Sequence, residues 1–165
     1  VMSVSGFDRY FTHRFAEVLV VHLKKNDPSK DLLELLHNSG ITLSLCIRLL
    51  ATKQDRPFRT IRNKVQPALF NLTTNQAKTI DTLFKKIEIH NLSDRVKKRS
   101  GNARLISRVN HAVQRRNWVA HEGDVNGHYN PRRIHINAVL AWLEALEEFV
   151  TLADTIIEVE LKKKK

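Results

Sequence analysis

The residues that could carry out chemistry in this sequence are concentrated in one stretch, residues 115–124 (RRNWVAHEGD). It places Arg115, Arg116, Asn117 and His121 within seven positions. An arginine guanidinium binds phosphate oxygens through a planar fork of N–H donors. A histidine imidazole is the side chain best suited to transfer a proton near neutral pH. The stretch therefore combines residue types that suit binding a phosphate and moving a proton beside it.

The spacing of these residues limits how they can act together. An arginine followed by a histidine after four to six residues occurs three times in the chain, so this pattern alone does not indicate a site. Asn117 and His121 are four residues apart and share a helix face. Arg116 precedes His121 by five residues, which separates them by about 140° around an ideal helix. The two can converge only if the helix end bends or if two copies of the stretch meet.

The elements that must position this stretch are predicted to be helices. The chain has 165 residues, of which 42% are hydrophobic and only 5 are glycine and 4 proline. Apolar residues follow the 3.6-residue period, and no segment alternates as a strand would. We expect an all-α fold, an antiparallel helical bundle of four to six helices in which the last helix is long, from about Asn130 to Glu160. Residues 1–160 would form a single domain, and residues 161–165 a basic tail.

Some helix ends and one buried helix can also be predicted. Asp27 and Pro28 suit the N-cap and first position of the second helix. Thr73 and Gln76 match a capping box. The run from about residue 41 to residue 53 is apolar on most sides, and we expect it deep in the core.

The charge of the chain indicates an anionic partner. The formal net charge is +11, and residues 85–133 contain twelve lysines and arginines but four acidic residues, a net charge of +8. Such a balance is typical of nucleic-acid binding. Residues 134–160 instead carry six acidic residues and no lysine or arginine. This acidic helix face is expected to pair with basic segments of its own chain or of a second subunit.

The remaining composition bears on compartment and membrane. A single cysteine, Cys46, cannot form an internal disulfide, and nothing suggests an oxidising compartment. No apolar stretch approaches the ~18 residues of a membrane span. We expect a cytoplasmic protein that does not enter the membrane.

Residues 116–117 (RN) and 120–123 (AHEG) resemble the signature of HEPN domains, which are all-helical proteins of prokaryotic defence systems and RNA processing. Residues 6–11 (GFDRYF) also resemble the first helix of the subgroup named for its neighbourhood to L-PSP-type endoribonucleases. Many members are metal-independent endoribonucleases that act as homodimers, with both copies of the motif lining one cleft. The resemblance implies an RNA-cleaving homodimer, and an antitoxin or another defence-system protein as a partner.

The resemblance also implies a role for each residue. His121 would be the general acid or base, Arg116 would hold the scissile phosphate, and Asn117 would orient the phosphate or His121. The product would carry a 2′,3′-cyclic phosphate, with no metal or cofactor required. In a toxin subgroup, a partner nucleotidyltransferase modifies a tyrosine two residues after the histidine. Gly123 stands there, which puts such regulation in doubt. The basic residues assigned to RNA binding are Lys97, Lys98, Arg108, Arg115, Arg132 and Arg133.

Other interpretations remain open. Residues 93–98, the turn after them and the basic helix that follows would suit a helix-turn-helix DNA binder, although the apolar stripe of that helix must be buried. A non-catalytic member of the resembled family would bind RNA or act as a scaffold. Alternatively, His121 is a helix-end residue that contacts carbonyls, and Arg116 is an ion-pair partner of Glu144 or Glu147.

A zinc site is not expected from the histidines. His121, His128 and His135 recur every seven residues, which is not a usual spacing for metal ligands, and a loop separates them.

Overall fold

A computed structural model describes residues 2–52, 56–70 and 76–163. Within these ranges the chain forms eight helices: α1 (Met2–Leu23), α2 (Lys30–Asn38), α3 (Leu43–Ala51), α4 (Pro57–Phe70), α5 (Ala77–Lys85), α6 (Leu92–Ser100), α7 (Leu105–His121) and α8 (Ile136–Lys163). The all-α class and the long C-terminal helix are therefore confirmed. The helices outnumber the four to six expected, because four of them have only nine residues.

The core lies between the first and last helices and is rich in aromatic rings. Phe11 and Phe15 of α1, Phe84 of α5 and Phe149 of α8 are fully buried. The Phe11 ring lies 5.7 Å from that of Phe149 and 6.2 Å from that of Phe84, both edge to face. This geometry is favourable because the positive ring edge meets a negative ring face. Helix α8 also packs along α7 and α6, so the core connects directly to the helix that ends at the candidate stretch.

The expectation that the third helix lies deep in the core is wrong. Only Leu45 and Leu49 of α3 are buried, whereas Leu43, Ile47 and Leu50 are 77%, 59% and 86% exposed. The exposed residues are four and three positions apart, so they occupy one face of the helix. A short helix that rests on the rest of the protein along one side buries a single stripe, however apolar its other side is.

Two predicted helix starts differ from the structure or lie partly outside it. Helix α2 is capped by the Ser29 hydroxyl, which accepts a hydrogen bond from the Leu32 N–H at 3.3 Å, so Asp27 and Pro28 precede the helix. Thr73 of the predicted capping box lies outside the described residues. Gln76 occupies the N-cap of α5, without a capping hydrogen bond from its side chain.

The last helix begins later and ends later than predicted. Pro131 pairs with Val125 in an isolated antiparallel bridge, and the Arg132 N–H donates to the carbonyl of Asp124 at 2.8 Å. These bonds hold the chain after Asn130 in an extended conformation, so α8 starts only at Ile136. At the other end the helix continues to Lys163, and the first three residues of the predicted tail are helical.

The acidic face of α8 pairs with basic residues of the same chain, as predicted. Arg14 of α1 contacts Asp154 at 2.8 Å and also pairs with Glu158. Arg95 of α6 contacts Glu160 at 2.6 Å. Because these partners lie on three different helices, the ion pairs join α1 and α6 to the C-terminal half of α8. None of the described helices is long and apolar enough to cross a membrane.

The Arg95–Glu160 pair should make the stability of the protein sensitive to acid. Burial acts to raise the pKa of Glu160, but hydrogen bonds from Lys163 and Arg95 outweigh it, and the pKa lies below the ordinary value of 4.5. A carboxyl group with a lowered pKa stabilises the folded state above its unfolded pKa, and this contribution is lost as pH falls through the folded value. Glu160→Gln should therefore be less stable than the parent at neutral pH.

The measurement is urea unfolding of both proteins at several pH values. The difference in the free energy of unfolding should shrink below about pH 4.5, where the parent carboxylate becomes protonated. A difference that stays constant across this range would show that the charge of Glu160 contributes nothing.

Candidate functional site at the end of α7

The candidate stretch is the last part of α7 and the loop that follows it. Helix α7 buries Leu105, Val109, Ala112 and Val113 against the core, a stripe with helical spacing. His121 is its last residue. The N–H groups of residues 122 and 124 both donate to the carbonyl of residue 118, at 2.9 and 3.1 Å. Residue 123, a glycine with a φ of +62°, allows the chain to turn away there, because glycine adopts this left-handed conformation readily.

Arg115 continues the buried stripe and holds the loop in place. Only 9% of its surface is exposed. Its Nη2 donates to Asp124 Oδ2 at 2.6 Å and to the carbonyl oxygen of Arg132 at 2.8 Å. Arg115 was predicted to bind RNA, but its guanidinium instead contacts the protein's own loop. The sequence could have indicated this burial, because Arg115 follows the apolar Ala112 by three residues and residues three apart share a helix face.

Arg132 is also engaged by its surroundings. Its guanidinium lies 4.0 Å above the ring of Trp118, where a cation is attracted to the ring face. It also donates to Glu122 Oε2 at 3.0 Å and to the carbonyl of Val125 at 2.9 Å. Arg132 therefore fastens the loop to the outer side of α7, while the neighbouring Arg133 is exposed.

Arg116 differs from these two arginines because its charge is not compensated. Its Nη1 donates to Asn117 Oδ1 at 3.1 Å, and its Nε, like the Nε of Arg115, is buried without a hydrogen-bond partner among the described residues. Among the described residues, no carboxylate lies within salt-bridge distance of it, so the alternative pairing with Glu144 or Glu147 is not present. A partly buried cation without a counter-ion favours an anion as its partner.

Arg116 lines an open cleft of about 230 Å³ between the start of α1, the end of α7 and the start of α8. The cleft is largely apolar, with Val119, Ile134, Trp142 and Leu143 in its walls. An anion that enters it would meet the half-buried guanidinium beside apolar walls, where the attraction between opposite charges is stronger than in bulk water.

His121 lies outside this cleft. It is exposed, and its imidazole makes no hydrogen bond or ion pair with the described residues. Helix α7 remains helical up to His121. A helix that does not bend keeps Arg116 and His121 about 140° apart. One chain therefore brings Arg116 and Asn117 together but leaves His121 on another side of the helix end.

The other residues assigned to RNA binding lie on α6 and α7. Lys97 and Lys98 are exposed in the last turn of α6, and Arg108 is half-buried on α7. None of the three forms a salt bridge with another described residue. Their charges are therefore available to an external anion.

A feature that the sequence did not predict is an exposed apolar surface around the cleft. Ile134, Leu140 and Leu143 belong to the apolar face that the sequence gives the last helix, yet they are exposed, as are Val119 and Ile136. The ion pairs that join α8 to α1 and α6 are made from its C-terminal half. In the sequence, these exposed apolar residues look the same as residues of the buried core. Apolar periodicity does not reveal whether another helix covers a given helix face.

Comparison with protein-family models, with curated proteins and with solved structures finds no match. Within the described part of the chain, no group of three or more His, Cys, Asp or Glu side chains is arranged to hold a metal ion.

Substitution of Arg115 should lower the free energy of unfolding much more than the same substitution of the adjacent Arg116. Arg115→Gln removes the donor to Asp124 and to the carbonyl oxygens of Arg132 and Arg133. Breaking such a buried pair costs about 2–3 kcal/mol of the free energy of unfolding. Arg116→Gln loses one contact with a neighbouring amide and should change it by less than about 1 kcal/mol. Urea unfolding of the two variants measures both values.

Equal destabilisation by the two substitutions would contradict this assignment. It would mean that Arg116 has a structural partner comparable to that of Arg115, and that its charge is not free to bind a ligand.

Proposed function

We propose that this protein is a metal-independent endoribonuclease of the HEPN type, with Arg116, Asn117 and His121 as its catalytic residues. The observation that supports this most is the uncompensated Arg116 guanidinium, which is half-buried in an open cleft and has no carboxylate near it in the described structure. A structural arginine at such a position normally has a counter-ion, as Arg115 does. The scissile phosphate of RNA would supply that negative charge.

The reaction is an internal transfer of the phosphoryl group. The RNA 2′-hydroxyl loses its proton and attacks phosphorus, the bond from phosphorus to the 5′-oxygen breaks, and the leaving oxygen gains a proton. The products are a 2′,3′-cyclic phosphate and a 5′-hydroxyl. The exposed imidazole of His121 serves one of the two proton transfers. Arg116 stabilises the charge that grows on the phosphoryl oxygens, with Asn117 holding its guanidinium.

A homodimer resolves the separation of Arg116 and His121. The exposed residues Val119, Ile134, Leu140 and Leu143 form an apolar rim beside the cleft. Contiguous apolar surface of this kind is typical of a protein interface. A second copy related by a two-fold axis would cover the same rim of both chains. Arg116 of one chain would then face His121 of the other. In this proposal the helices act as a bundle that presents the two copies of the motif to one RNA strand.

The cleavage assay is incubation of the protein with labelled single-stranded RNA in EDTA. His121→Ala should lower the rate by about 10²–10⁴, the usual contribution of a general acid or base. His128→Ala is the matched control, because His128 is also exposed but lies in the loop beyond the helix, and its rate should equal that of the parent. The 3′ ends of the parent's products should carry cyclic phosphate.

Equal cleavage by the parent and His121→Ala would point to another site or to a contaminant. No cleavage by the parent, with RNA binding that weakens in salt, would favour the non-catalytic interpretation.

A site shared between chains predicts that two inactive variants restore each other. Arg116→Ala and His121→Ala, co-expressed, should regain about one quarter of the parent rate, since half of the randomly paired dimers are mixed and each mixed dimer has one intact site of two. Neither variant alone should exceed its own low rate.

The measurement is the RNA cleavage rate of the co-expressed mixture, and then of the purified mixed dimer, which should reach about one half of the parent rate because one of its two sites is intact. A mixed dimer with no more activity than either variant would show that Arg116 and His121 of the same chain act together, because neither of its chains carries both residues.

The second candidate is a nucleic-acid-binding module without catalysis. One observation favours it: α6 and α7 follow each other across a short turn, and Lys97 and Lys98 are exposed beside it. One observation argues against a helix-turn-helix DNA-binding protein. Leu105 and Val109 of α7 are completely buried, which leaves less of this helix free to enter the major groove of DNA. This candidate predicts strong salt dependence of binding and no turnover.

A further inference from the structure

A cluster of arginines lies at the start of α4, outside the candidate site. Arg56, Arg59 and Arg62 are exposed and recur every three residues. They line an open cleft of about 310 Å³ where α4 packs against α1. The remaining residues of the cleft are Glu17, Val20 and Phe58.

The positive charge of this cleft is not neutralised within the described structure. No described carboxylate lies within salt-bridge distance of the three guanidiniums. Glu17 in the wall contributes one negative charge against these three cations, and it contacts Arg14 at 3.3 Å, which also pairs with Asp154 and Glu158. Lys24 adds a further cation, with its Nζ 5.0 Å from the centroid of the Phe58 ring. Described residues 39–52 and 56–70 together contain five lysines and arginines and no acidic residue.

The spacing of the arginines suits a row of phosphates. Three residues advance a helix by about 4.5 Å, so the three guanidiniums are anchored along about 9 Å of the α4 axis. Phosphates of one strand are separated by about 3.4 Å along a duplex axis and by more in an extended single strand, so the row can meet two or three of them. Each arginine offers two parallel donors to phosphate oxygens. Val20 and Phe58 give an unpaired base an apolar wall beside the charges.

We propose that the cleft of Arg56, Arg59 and Arg62 is a second RNA-binding surface, which holds the backbone of a single strand outside the Arg116 and His121 site. The choice of RNA as the polyanion rests on the proposed function. The surface itself rests on the apolar wall and on three arginines for which the described residues supply no salt-bridge partner. An RNA strand that contacts both surfaces would bind more tightly than one that reaches only the catalytic residues.

The test is the salt dependence of RNA binding, measured by fluorescence anisotropy with labelled single-stranded RNA. All proteins carry His121→Ala, so that RNA is not consumed. In this background Arg56→Gln/Arg59→Gln/Arg62→Gln should reduce the slope of log Kd against log salt concentration by about 2, since each phosphate contact on a single strand contributes about 0.7. The same three positions changed to lysine should keep most of the slope, because the charges remain.

The matched control neutralises three exposed lysines that do not line the cleft, Lys30→Gln/Lys78→Gln/Lys85→Gln. It lowers the net charge by the same amount and should leave the slope nearly unchanged. Circular dichroism melting should show that each variant folds, since all six positions are exposed.

Three results would overturn the proposal: equal slopes for the cleft variant and the lysine control, no RNA binding by the His121→Ala parent, or cleft-dependent binding of a labelled polyglutamate peptide without cleft-dependent binding of RNA. Failure of this proposal can be distinguished from failure of the proposed ribonuclease activity, because binding and cleavage are measured separately. A protein that shows the slope difference but never cleaves RNA has the binding surface without the enzyme.

Discussion

The ion pair between Arg115 and Asp124 is the interaction on which the geometry of the candidate site depends. It joins the last buried turn of α7 to the loop that follows, and the same guanidinium holds the carbonyl of Arg132. Breaking a buried pair costs more than forming it gains, because the remaining charge has lost its water. The loop is therefore held close to the helix end. This restraint sets where α8 begins and how its first turns stand beside Arg116.

Two adjacent arginines on α7 have different roles because one helical step turns a side chain by about 100°. Arg115 points to the loop and is neutralised by the protein. Arg116 lies in the apolar cleft, and among the described residues only the amide oxygen of Asn117 accepts a hydrogen bond from it. The protein thus keeps a positive charge in a site of low polarity without a counter-ion in its described residues. Such an arrangement costs stability when the site is empty, and an anionic substrate would offset that cost.

The distribution of charge separates the molecule into surfaces with different partners. The acidic face of α8 is used within the chain, where it pairs with Arg14 and Arg95. The arginines of α4 and the lysines at the end of α6 are left without such partners in the described structure. The apolar rim beside Arg116 lacks charge altogether. This division is consistent with a proposed dimer that meets through the rim and binds RNA along the basic surfaces.

The all-α class, the long last helix, the end of α7 shortly before Gly123 and the position of the basic segment could be predicted from the sequence. These features depend on local periodicity, backbone preference and composition, which act over a few residues. The burial of Arg115, the exposed faces of α3 and of the start of α8, and the late beginning of α8 could not. Each of them depends on which distant residue lies opposite, and only the tertiary structure decides that. Apolar periodicity is the same whether the core, a second copy or water covers the helix.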